Sequence, residues 1–230
     1  MIKSQTIGSW PEFLAALETF NRPGCIFRGV TSMNKSLTPK VGRPEFANQY
    51  SVHAEQVLLK IFQDSAMPHL GSKPASVLEW LALGQHHGLP TRLLDWTNSP
   101  LIATFFATRG GEPGDAPAVY ACEIPRIDRL SFDPFSITDV MKYYPPQISP
   151  RMSAQQALFV VHPDPRQPLE HYREIDRIVI PAHLRGEFRS RLNFYGVNEQ
   201  TMFPDLDGIS SHLAWRLRDG VGNWRPRAAT

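Results

Sequence analysis

QHHGLPTRLLDWTNSPLIATFFA, residues 85–107, places two kinds of secondary structure side by side within one short run. Gln85, His86 and His87 close a helix that Gly88-Leu89-Pro90 stops. Thr91–Thr97 then reads as a strand, with apolar Leu93 and Leu94 and with Trp96, a good strand former. Asn98-Ser99-Pro100 starts a second helix: Ser99 is the cap, Pro100 occupies the first helical position, and Leu101–Thr108 follows as an apolar helix. On the strand, Asp95 and Thr97 share one face and Leu94 and Trp96 the other. The helix that begins at Pro100 aims unbonded backbone N–H groups back at the polar face. Two readings stay open: an anion or nucleotide pocket, or a buried polar network that fixes the fold.

The pattern continues outward in both directions. Ser9 and Glu12 have capping-box spacing around Pro11, and Phe13, Leu14, Leu17 and Phe20 follow at helical intervals. Cys25–Val30 reads as a short strand interrupted by Arg28, with Gly29 permitting close approach of another group. Residues 53–66 form a helix with Leu58, Ile61, Phe62 and Ala66 on one face; residues 75–87 form another, with Val77, Leu78, Leu81 and Ala82 inward. Strands follow at 118–124, 156–162 and 177–180, separated by a proline- and aromatic-rich ordered loop over 125–150. Residues 182–194 make a basic amphipathic helix, with Leu184, Phe188 and Leu192 inward and Arg185 and Arg189 on a solvated face. A last helix over 205–218 carries Leu206, Ile209, Leu213 and Leu217 on one stripe, with Asp205 and Asp207 as first-turn acids. Residues 219–230 read as a loose tail. Short strands mixed with helices, without a repeat or a linker, give a single α+β domain with a mixed or antiparallel sheet and a core over about residues 22–215.

Composition narrows the function classes. The net charge of +2 makes no case for a nucleic-acid or membrane partner. Of the 24 basic residues 18 are arginine, which fits either codon usage or bidentate recognition of phosphate and carboxylate. Cys25 and Cys122 have no zinc-ligand spacing and fit a reducing, cytoplasmic setting. No run approaches the roughly 18 apolar residues of a membrane span, and the first residues lack a signal-peptide core. Dinucleotide-fold, Walker, zinc-protease, serine-hydrolase and kinase motifs are missing, and Phe203–Gly208 lacks the ligand spacing of a calcium loop, so no metal is expected.

Arg28 must find an anion or acceptors inside its strand, because an unpaired buried charge is costly. An ion pair to Glu55 or Asp95, and a phosphate clamp, satisfy that need equally. Arg151 adds either a second phosphate or nucleic-acid contact, or a surface charge.

Phe27-Arg28-Gly29, the 85–107 block, RMSAQQALFVVH at 151–162 and MFPDLDG at 202–208 together resemble the FRG domain family, over about residues 22–215. The resemblance implies a bacterial domain of toxin or antiphage settings. A second resemblance is to ADP-ribosyltransferases. An aromatic-Arg-Gly on an early strand is similar to their first motif, and Leu93–Thr97 with the helix behind it to their second. This implies a split sheet and NAD as substrate. Arg28 and Gly29 would meet the pyrophosphate, with Gln85, Arg92 and Arg151 as further binding residues. Thr97 would support the nicotinamide pocket, and His86, Asp95 and Gln155 would complete the catalytic set. The chain departs from the third motif: Gln155 and Gln156 stand where a glutamate is expected, Glu174 lies too early and Glu199 lies in a turn. This departure bears on transfer, not on NAD binding. Three readings follow: a transferase acting on NAD with a protein or nucleic-acid acceptor, a non-enzymatic nucleotide or nucleic-acid sensor, and a nuclease in which His86, Asp95 and Gln155 converge.

Overall fold

Strand β1 (Ile2–Thr6) and helix α1 (Trp10–Glu18) open the chain in a computed structural model that describes residues 1–126, 132–146 and 149–219. Then come β2 (Cys25–Val30), α2 (Pro44–Ala47), α3 (Val52–Ala66), α4 (Val77–His86), β3 (Leu93–Thr97), α5 (Pro100–Thr108) and β4 (Ala118–Glu123). The remainder comprises β5 (Met141–Tyr143), α6 (Pro150–Ala154), β6 (Ala157–Val161), β7 (Ile175–Val179), α7 (Arg185–Phe194), α8 (Glu199–Met202) and α9 (Leu206–Asp219). Part of the 125–150 loop and residues 220–230 of the expected tail lie outside the described residues.

The strands form one open, mixed α/β sheet in the order β1-β7-β4-β2-β3-β6-β5. Only β1 and β7 pair in parallel, and the other named pairs are antiparallel. The sheet is divided at its middle. β2 pairs with β4 along its whole length, and β3 does the same with β6. β2 and β3 share only the Phe27–Thr97 position and diverge beyond it. Two half-sheets, β1-β7-β4-β2 and β3-β6-β5, therefore meet at one point and leave a gap.

Three apolar clusters form the core, and one of them runs beneath both halves. Trp10 and Phe13 of α1, Phe105 of α5 and Phe188 and Leu192 of α7 cover one face of β2, β4 and β7. The opposite face buries Ile26, Leu94, Trp96, Tyr120 and Leu158 under Leu37, Val140 and Leu169. Leu59 of α3 and Leu78 and Leu81 of α4 pack with Leu93, Phe159 and Val161.

The packing corrects several expectations. In α3 Glu55 and Leu59 are buried and Ile61 is exposed, because the helix docks through the Glu55–Arg92 ion pair beside Leu59, while Phe62 and Ala66 of the expected face pack half-buried on the same core. Val77 at the start of α4 is likewise exposed. Arg189 is buried against Glu199, which begins α8 and not a turn. Arg185 donates to the carbonyls of Gly110, Asp115 and Thr31, so these two arginines hold elements together and form no solvated patch.

Candidate functional site

A groove of about 1030 Å³ occupies the gap between β2 and β3. Its floor is Phe27–Val30 on one lip and Asp95–Thr97 on the other. The end of α4 contributes Gln85 and His86, α5 contributes Ala103 and Phe106, and the start of β6 and α6 contribute Arg151, Gln155 and Phe159. The loop between β2 and α2 and the loop after β6 close the far end with Lys35, Arg43 and Arg166.

Arg28 bridges the gap. Its Nη1 donates to the main-chain carbonyl of Asp95 and lies 3.9 Å from the Asp95 carboxylate. The side chain is 17% exposed, and its Nε is buried without a hydrogen-bond partner among the described residues. Burial works against its charge, and Arg43 adds to that; Asp95 works in the opposite direction. Trp96, on the other lip, likewise buries an Nε1–H with no acceptor among the described residues. Buried N–H donors without acceptors are rare because each leaves a desolvation penalty uncompensated. Here two belong to residues lining the same groove.

Thr97 stands where the two half-sheets meet, and its side chain ties β3 to the turn before β6. Its Oγ1 donates to the Gln155 carbonyl at 2.8 Å and accepts from the Ser99 N–H at 3.2 Å. Gln155 donates from Nε2 to the Met202 carbonyl at 3.0 Å. The next residue, Gln156, has φ of +44°, a left-handed conformation unusual outside glycine, and turns the chain from α6 into β6. Arg151 lies 4.6 Å from the centre of the Phe203 ring, whose other cationic neighbour is Arg109 at 4.3 Å. His86 is held below its ordinary pKa by burial first, then by His87 and Arg151. It is therefore a neutral base at pH 7. Gln85 accepts from the Thr91 hydroxyl through Oε1.

Arg28, Gly29, Gln85, His86, Asp95, Thr97, Arg151 and Gln155 thus all line one groove. Arg92 does not. It is 0% exposed and paired with Glu55 at 2.9 Å, with further bonds to Tyr50 and to the Pro134 carbonyl, behind the sheet. Its bonds to Glu55 and Tyr50 hold it in the core, outside the groove lining, so its assignment as a binding residue is corrected. The role of Gly29 also changes. A Cβ there would lie 1.7 Å from the Ala103 carbonyl oxygen, so the missing side chain admits the backbone of α5. The start of α5 offers less than expected: Ser99 takes the Ile102 N–H, and the helix reaches the groove through Ala103 and Phe106.

Lys35, Arg43 and Arg166 were not legible as site residues. They lie in irregular segments, where no periodicity gives a side-chain direction. With Arg28 and Arg151 they make five cations facing two carboxylates, Asp95 and Glu45, in the groove lining. Such a surface suits a polyanion with acceptor oxygens. Among the described residues no group of three or more His, Cys, Asp or Glu side chains is placed to hold a metal, and no helix is long and apolar enough to cross a membrane.

The family model of the FRG domain matches residues 23–116, which supply the Arg28 lip, the Asp95–Thr97 lip and α5. No curated protein and no solved structure matches the chain.

Proposed function

From the premise that this chain carries an FRG domain, we propose that its groove binds the pyrophosphate of NAD and that the protein is an ADP-ribosyltransferase-like enzyme acting on a macromolecular acceptor. The observation that carries this reading is Arg28: a nearly buried guanidinium at the split of the sheet, with one N–H unpartnered among the described residues and four further cations along the same groove. An arginine in a desolvated cleft binds phosphate oxygens far more strongly than one in water. The groove volume suits a dinucleotide.

In this reading an acceptor oxygen or nitrogen attacks the anomeric carbon of the nicotinamide ribose. The bond from that carbon to nicotinamide breaks, its electron pair leaves with nicotinamide, and the acceptor proton passes to neutral His86. With water as acceptor the same step is NAD hydrolysis. Asp95, 65% exposed beside Arg28, faces the cationic character that builds on the ribose. Toxicity toward the producing cell, in a toxin or antiphage role, is the expected phenotype.

A second reading, a nucleotide sensor without turnover, is favoured by one specific observation. Gln155 has no ionisable group, and its amide is already engaged by the Met202 carbonyl. The test for both is calorimetric titration with NAD and release of nicotinamide by the wild type and Arg28→Lys, with protein, RNA and DNA offered as acceptors. Binding with turnover, both reduced in the variant, supports the transferase. Binding without turnover supports the sensor. Absence of binding refutes both.

A further inference from the structure

The cations of the groove outnumber what a dinucleotide pyrophosphate needs. Arg28 and Arg151 flank the split of the sheet, and Arg166 is held by the Asp164 carboxylate through two hydrogen bonds. Lys35 and Arg43 remain, both on the loop between β2 and α2. The Lys35 ammonium donates to the Thr31 hydroxyl at 2.7 Å, and Arg43 donates from Nε to the Thr38 carbonyl at 3.3 Å. Neither forms an ion pair among the described residues, and Glu45, the one acid within 31–47, pairs with neither. Ser36 and Thr38, between them in the chain, also line the groove and share a hydrogen bond. Only one of the two hydroxyls can donate within that pair, so the other keeps an O–H for a ligand. Two unpaired cations and a free hydroxyl donor, on one loop facing one groove, suit a phosphate monoester, which carries about two negative charges on its terminal oxygens.

Position along the groove identifies the molecule that presents this phosphate. In the transferase reading the nicotinamide end lies by Thr97 and His86, and the pyrophosphate at Arg28. From Arg28 the chain runs on along β2 to Thr31, about 10 Å further, where the Lys35 ammonium sits. The adenosine half of the dinucleotide then points at Lys35 and Arg43. NAD brings only neutral ribose hydroxyls and adenine to that end and leaves both cations without an anion. NADP carries one more phosphate, a monoester on the 2′-oxygen of the adenosine ribose. Arg43 also stands near enough to work against the charge of Arg28, a repulsion that phosphates beside each of them would relieve. On the dinucleotide reading of the groove, on which this rests, we infer that the protein selects NADP over NAD, with Arg43 and Lys35 holding the 2′-phosphate.

The test is titration calorimetry of the full chain with NADP and with NAD at one salt concentration. NADP is expected to bind about 10- to 100-fold more tightly, the worth of one or two charge-assisted hydrogen bonds. Arg43→Ala should lower the ratio of the two affinities by at least about fivefold, and Lys35→Ala should lower it as well. Lys35 is exposed, so its variant should melt at the temperature of the wild type even if loss of the Arg43 bond to Thr38 loosens the loop. NAD bound as tightly as NADP, or a preference for NADP that survives both substitutions, overturns the inference and leaves the dinucleotide reading standing. Binding of neither dinucleotide overturns both.

Discussion

The Nη1 of Arg28 donates to the Asp95 main-chain carbonyl just beyond the point where β2 and β3 cease to pair. One side chain thus spans the two half-sheets with one nitrogen and leaves Nε without an acceptor among the described residues. Holding the split and binding a ligand require different things of this residue, so they can be separated. Arg28→Lys keeps a cation but loses the planar fork. NAD affinity should fall about 10- to 100-fold, the worth of one or two charge-assisted hydrogen bonds, with little change in melting temperature. Titration calorimetry beside a thermal melt checks it. A large melting loss with unchanged affinity would make Arg28 a structural strut.

Gly29→Ala tests the other half of the Phe-Arg-Gly run. The new methyl group meets the α5 backbone, which cannot swing aside as a flexible side chain would. Overpacking of this kind costs about 1–3 kcal/mol or more. Urea unfolding should show that loss, and a neutral result would mean that α5 shifts freely.

The Arg92–Glu55 pair predicts a pure stability effect. Glu55→Ala leaves the Arg92 guanidinium buried with its main anion gone, at a cost of about 3–5 kcal/mol. Nucleotide affinity of the fraction that remains folded should not change. Replacing both partners by apolar residues, Glu55→Leu with Arg92→Met, should recover much of the loss in chemical denaturation.

His162, at the end of β6, supplies a pH dependence. Burial holds its pKa down to about 3, and neither ring nitrogen has a hydrogen-bond partner among the described residues. The unfolded chain takes up its proton near pH 6.5, well before the folded protein does. Stability conferred by the neutral ring is therefore intact above about pH 6.5 and declines as pH falls toward 3, by up to tenfold in the folding equilibrium per pH unit. Urea midpoints of His162→Leu and the wild type should converge or cross between pH 7 and 5, with the wild type losing more. Parallel decline in both would show that other groups control acid sensitivity.

Local signals in the sequence located β2 to the residue and both caps around β3, because Ser99-Pro100 and Cys25–Val30 carry their own conformational preferences. β1 gave no such signal: Lys3 to Thr6 are exposed, and only pairing with β7 makes them a strand. The groove residues that were legible sit on strands and helix ends, where periodicity sets direction. Arg92 shows the limit of that method. The resemblance to ADP-ribosyltransferases counted it among the binding residues, but whether such an arginine faces a ligand or a buried Glu55 depends on a helix 37 positions earlier in the chain. The leucines of α9 show a second limit, since periodicity reveals a stripe and not that it lies exposed.

The strand order carries a consequence for how this protein can be divided. Residues 23–116 include β2 and β3 but neither β4, which zips the full length of β2, nor β6, which does the same for β3. Excised alone, that segment would present two almost unpaired strands with raw hydrogen-bonding edges, a template for aggregation. The stretch that the family shares is thus the lining of a cleft and not a module that could be transplanted; its foldability resides in residues beyond residue 116, which the family model does not match.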